Sequence, residues 1–195
     1  MNTFYSDSIK GHTVHLTESE SYHCHIVLRN EIGDRIMVID GTGGIYLCKI
    51  IQSTKSAVIA NILRKELHSK NPYNIHLAIA PTKSQDRIEW FIEKAVELGV
   101  SIISFIKTNR TERDKINIDR ANKIALSAVK QSGQYFLPKI NDLSKFDQVI
   151  SSRDENQLFI AHLEKENKRK NIIDMYKKNK DCCIMIGPEG DFTPS

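Results

Sequence analysis

The sequence predicts an α/β protein with an N-terminal β-barrel, and three observations carry that prediction. Up to about residue 68, short apolar runs are separated by glycine turns. From Ile75 onward, apolar runs of strand length alternate with segments of helical periodicity. Between them, 67–74 is polar and interrupted by Pro72, the composition of a linker. The expected division is a small barrel-like domain over 1–70 and an α/β domain with a mostly parallel sheet over 71–195.

Each element follows from local pattern. A short amphipathic helix fits Glu18 to Arg29, ending before Gly33. Arg35 to Asp40, the turn Gly41-Thr42-Gly43-Gly44 and Ile45 to Ile51 form a hairpin signal, and Ala57 to Leu63 adds a strand. In the second half, Ile75 to Ala80 reads as a strand. Ser84 to Leu98 reads as a helix with Ile88, Phe91, Ile92, Ala95 and Leu98 on one face and Gly99 closing it. Ile102 to Ile106 is a strand, and Asp119 to Ser132 a helix capped by Asp119 and closed by Gly133. Leu158 to Ala161 and Cys182 to Ile186 complete the buried strands.

The totals exclude several classes. No apolar run nears the ~20 residues that cross a bilayer, and the N-terminus has no secretory apolar segment, so a cytoplasmic location without membrane attachment is expected. Cys24, Cys48, Cys182 and Cys183 lack metal-type spacing and read as buried reduced thiols. His23-Cys24-His25 would point in different directions on a helix, so no metal is expected. The net charge of +4 is weakly basic, but 107–120 carries five basic and three acidic residues and 163–180 seven and three. Such runs are solvated helix faces or phosphate contacts.

The chemistry gathers at strand ends. Cys182 to Ile186 runs into Gly187-Pro188-Glu189-Gly190, where an open α/β sheet binds ligands; Thr193 and Pro194 then announce a helix. Ala80-Pro81-Thr82-Lys83 and Asn109-Arg110-Thr111-Glu112-Arg113 follow two further strands. Arginines there suit bidentate contacts to phosphate or base, and a Glu-Arg surface pair explains the same letters. P-loop, dinucleotide and nucleophile-elbow motifs are absent.

An ordered set of motifs covers nearly the whole chain: His23, Val27-Leu28-Arg29, Gly33-Asp34, Pro81-Thr82-Lys83, Lys94 to Val100, Glu112-Arg113, Gln131-Ser132 and Ile186 to Gly190. In this the sequence resembles the bacterial 16S ribosomal RNA (uracil-N3)-methyltransferases, the RsmE type of the SPOUT class. The resemblance implies a PUA-like RNA-binding barrel followed by a SPOUT-type α/β domain with a trefoil knot, acting as a homodimer. The implied reaction moves a methyl group from S-adenosylmethionine to N3 of a uridine in 16S rRNA or the small subunit. Gly187, Pro188, Glu189 and Gly190 match the cofactor loop; Arg29, Lys83 and Arg110 are the expected RNA contacts. Because N3 must lose its proton, Arg113 is the candidate cation and Glu112 the second candidate, as base. Another RNA site, or RNA binding without catalysis, is the alternative.

The chain departs from the pattern in places. Asp191 stands where relatives often have glycine, and Lys130 and Gln134 where Glu and Arg are common. The resemblance also implies a further helix and a knot-threading segment beyond residue 195. The sequence is therefore expected to be a shortened version that binds S-adenosylmethionine poorly.

Overall fold

The computed structural model describes residues 1–163 and 170–193. They form two compact units, one of Met1–Lys70 with Val129–Leu137 and one of Asn71–Ala128 with Pro138–Ser195.

The first unit is a curled six-stranded sheet with an open order, β1-β4-β5-β6-β3-β2. Its strands are β1 (Thr3–Tyr5), β2 (Ser8–Lys10), β3 (Thr13–His15), β4 (Arg35–Ile39), β5 (Gly44–Ser53) and β6 (Val58–Leu67). The expected barrel is thus a half-barrel with β1 and β2 at its edges. Strands β1 to β3 have three residues each, too short for a period-2 signal to stand out in the sequence. The hairpin of β4 and β5 turns where expected. Asp40 Oδ1 accepts the backbone N–H of Thr42 at 2.8 Å and of Gly44 at 2.9 Å, while Gly41 and Gly43 take positive φ. Phe4, Val14, Ile36, Val38, Cys48 and Ile50 fill the concave core.

The helix expected over Glu18 to Arg29 forms in two styles. Helix α1 (Glu18–Tyr22) starts at Thr17, whose hydroxyl accepts the Glu20 N–H at 3.3 Å. It continues as a π-helical turn over His23–Val27, with Leu28 N–H donating to His23 O at 2.9 Å. Arg29 follows in the left-handed region at φ 55, where a helix commonly ends.

The second unit is a five-stranded parallel sheet, ordered β10-β11-β7-β8-β9. Its strands are β7 (Ile75–Ile79), β8 (Ile102–Lys107), β9 (Lys139–Lys145), β10 (Gln157–Ala161) and β11 (Cys182–Ile186). Helix α2 (Gln85–Glu97) is capped by Ser84, and α3 (Ile118–Ser132, whose residues from Val129 on belong to the first unit), α4 (Phe146–Ser152) and α5 (Ile172–Met175) follow. Two local expectations are corrected. Leu98 is 81% exposed and Val96 buried instead, because six residues past Ile92 lies about 120° round a helix from it. Asp119 lies within the first turn of α3; Asn117 caps that helix, its Oδ1 accepting the Arg120 N–H at 3.0 Å. Strand β9 and helix α4 went unread, since 139–152 is largely polar and half-exposed.

Among the described residues no helix is long and apolar enough to cross a membrane. Part of the basic run over 163–180 and the first residue of the announced helix, Pro194, lie outside the described residues.

Candidate functional site

All five strands of the second unit are parallel, so their carboxyl ends share one edge. The Ala80 N–H donates to Ile186 O at 2.9 Å, which joins the loop after β7 to the end of β11. Gly187-Pro188-Glu189-Gly190 follows as a tight turn: Pro188 is buried, and the Asp191 N–H returns to Pro188 O at 2.9 Å. Gly187 is needed for space. A Cβ there would stand 3.0 Å from the Phe192 ring, which itself packs against Phe146 at a centroid separation of 5.6 Å.

Asp191 takes φ 61, a conformation that asparagine and aspartate tolerate better than most residues. Its carboxylate accepts the Leu163 N–H at 2.7 Å and the Phe192 N–H at 2.8 Å. Those two donors, Leu163 first, hold its carboxyl below the ordinary aspartate value. Nothing local in the sequence announces this bond to the loop after β10, which depends on strand order.

The loop after β8 meets the same edge. Arg110 donates through its guanidinium to Gly190 O, and Asn109 Nδ2 donates to Thr193 Oγ1 at 3.2 Å. Arg113 is anchored on the loop after β7. Its Nε donates to Thr82 O at 3.0 Å, one terminal nitrogen to Gln85 Oε1 at 3.0 Å, and the other to Lys83 O. Lys83 Nζ pairs with Glu112 at 2.5 Å on the surface. The Glu112 carboxylate raises the Lys83 pKa, helped by the charge of Glu189.

The structure therefore brings Lys83, Arg110, Glu112, Arg113 and Gly187–Gly190 to one sheet edge. Arg29 is exposed and belongs to the first unit. His23, Cys24 and His25 do not converge: His23 is exposed, Cys24 is buried, and His25 Nδ1 lies 3.0 Å from Ser53 Oγ. At the opposite, amino-terminal ends of the strands lies a cluster with no motif in the sequence. Buried His76 in β7 contacts Glu155 and Ser104 there.

Comparison with known proteins shows the family of the chain. Residues 69–195 match the model of the RNA methyltransferase domain, and residues 16–63 that of the RNA methyltransferase PUA domain. The chain belongs to the RNA methyltransferase family. A probable rRNA-methyltransferase from Porphyromonas gingivalis is 33% identical, with a TM-score of 0.88 over 100% of this chain and 82% of that one. The Ribosomal RNA small subunit methyltransferase E from Neisseria gonorrhoeae, solved bound to S-adenosyl methionine, is 25% identical with a TM-score of 0.86, over 99% and 81%. The Rickettsia conorii protein of the same designation is 28% identical over 98% of this chain and 80% of its own length.

In this RNA methyltransferase the cofactor is S-adenosylmethionine. The residues at the carboxyl edge fit such a group. Gly187 and Gly190 keep the turn free of side chains, and the edge presents backbone and cationic groups. When bound, the cofactor supplies the electrophilic methyl.

Proposed function

We propose that this protein transfers a methyl group from S-adenosylmethionine to N3 of a uridine in the 16S rRNA of the small ribosomal subunit. The Gly-Pro-Glu-Gly turn at the carboxyl edge, flanked by the loops after β7 and β8, is the observation that carries this reading. The bond formed joins the methyl carbon to N3, and the carbon–sulfur bond breaks to leave S-adenosylhomocysteine. The N3 proton passes to a base or to solvent.

In this reading Gly187, Pro188, Glu189 and Gly190 hold the cofactor. Arg113, fixed by three bonds, offers a preorganised charge to the developing uridine oxyanion. Glu112, tied to Lys83, is the weaker candidate for proton removal. Arg29, Lys83 and Arg110 contact RNA. The region over 1–70 serves as the RNA-binding domain and 71–195 as the methyltransferase domain. A homodimer, a trefoil knot and a cytoplasmic location complete the proposal.

Methyl transfer from labelled cofactor to small-subunit particles by the intact protein, followed by mapping of the modified base, tests it. A methyl group on any other atom or RNA sinks the assignment, and salt-sensitive RNA binding without transfer would make the protein a binding module.

A further inference from the structure

The amino-terminal ends of the sheet carry a buried polar cluster that methyl transfer does not use. His76 in β7 and Cys183 in β11 are register partners on adjacent strands, so their side chains share one face, and both are buried. Glu155, just before β10, is 5% exposed and places Oε1 2.9 Å from His76 Nδ1. On its other side, His76 Nε2 lies 2.7 Å from Ser104 Oγ, which also accepts Asn141 Nδ2 at 2.9 Å. A hydroxyl oxygen accepts two bonds, so Ser104 can take both the Asn141 N–H and the His76 Nε2–H, the tautomer that leaves the Nδ1 lone pair facing Glu155 free to coordinate.

Three further observations point to a ligand. The donor atoms of His76, Glu155 and Cys183 all lie within 4.8 Å of one another. Glu155 Oε2 is buried without a hydrogen-bond partner among the described residues. A cavity of about 610 Å³, lined in part by His76, Ser104, Asn141 and Glu155, borders the cluster and gives an entry path.

We propose that His76 Nδ1, the Glu155 carboxylate and Cys183 Sγ form a binding site for one zinc-class divalent cation. A thiolate, an imidazole and a carboxylate are the mixed donors that borderline-soft metals take, and they exclude the all-oxygen preferences of magnesium and calcium. Three protein ligands leave a fourth position for water from the cavity. Ser104 and Asn141 hold the imidazole from behind, the usual support of a metal-bound histidine. On binding, the imidazole carries its proton on Nε2, where Ser104 Oγ accepts it, and the thiol proton is released to solvent.

A purely structural reading explains Oε1, both ring nitrogens and Ser104, and Cys183 by its apolar packing, and leaves Oε2 buried without a partner among the described residues. The cation ties the segment before β10 to β11 and β7, so its effect is on stability rather than on transfer at the opposite edge.

Chelator-treated intact protein is titrated with Zn²⁺ and, as a spectroscopic probe, with Co²⁺. One equivalent, a raised melting temperature and a thiolate-to-cobalt charge-transfer band are expected. Cys183→Ser removes the band, and Cys182→Ser keeps it. X-ray absorption of the zinc-loaded wild type, which depends on no variant, shows one sulfur among nitrogen and oxygen ligands. Absence of the band, its survival in Cys183→Ser, or a zinc shell without sulfur overturns the proposal.

Discussion

The Asp191 carboxylate accepts the Leu163 backbone N–H at 2.7 Å, bridging the turn after β11 to the loop after β10. A glycine at position 191 would keep the turn and lose that bridge. Asp191→Gly is expected to weaken S-adenosylmethionine binding by less than about fivefold, the range of an exposed charged interaction, as read by calorimetry on the intact protein. Its carboxyl value is depressed in the folded state, so the bridge is fully present above the unfolded value near pH 4 and fades as pH falls through the folded one. Asp191→Asn flattens that acid-side dependence; an unchanged profile would remove Asp191 from this role.

Arg113 spends all three guanidinium nitrogens on the loop after β7 and the first residue of α2. Arg113→Ala is expected to lower the single-turnover rate by roughly a hundredfold, the cost of one transition-state donor. Arg113→Lys should recover little, since an ammonium cannot span the same fork. An intact rate with weaker RNA affinity would make Arg113 a binding residue.

Gly43 combines φ 106 with a neighbour that cannot yield: an added Cβ would fall 2.5 Å from His68 O. Gly43→Ala is expected to cost ~2 kcal/mol or more, lowering the melting temperature by roughly 4–8 °C for a chain of this size. Gly11→Ala, with an open position for Cβ, serves as the milder comparison.

Lys130 has a charged partner. Its Nζ lies 2.6 Å from the Glu20 carboxylate, which also accepts the Tyr5 N–H at 3.1 Å. Both charged groups are largely shielded. Lys130→Met strands a buried carboxylate and is expected to destabilise by about 2 kcal/mol, measured by denaturant melting. Glu20→Gln in the same background should return part of that loss.

All four cysteines are buried, and burial pushes the thiols of Cys48 to about 11 and Cys183 to about 12. Neutral-pH thiol reagents should label almost none in native, metal-free protein and all four after unfolding. Rapid native labelling of one would show that its strand opens locally.

Much of this fold is legible in local spacing. The β4–β5 hairpin, β7, β8, β10, β11 and helices α2 and α3 follow from periodicity and glycine punctuation, which encode backbone hydrogen bonds between near neighbours. Legibility failed where the signal was short or polar, at β1 to β3 and β9. It also failed where one turn of register decided exposure, at Leu98, or where two capping residues stand two positions apart, at Asn117 and Asp119.

The sequence by itself determined that two units of different grammar exist, that three polar loops end parallel strands, and which glycine-rich turn is the candidate cofactor loop. Only the tertiary structure decided which of those loops touch. Strand order put β11 beside β7 and β10, so Ala80 meets Ile186 and Asp191 meets Leu163. The same order brought His76 and Glu155, 79 residues apart, within hydrogen-bond distance. Side-chain spacing along a chain fixes faces and turns, whereas sheet order is set by packing the whole core, and no local pattern records it.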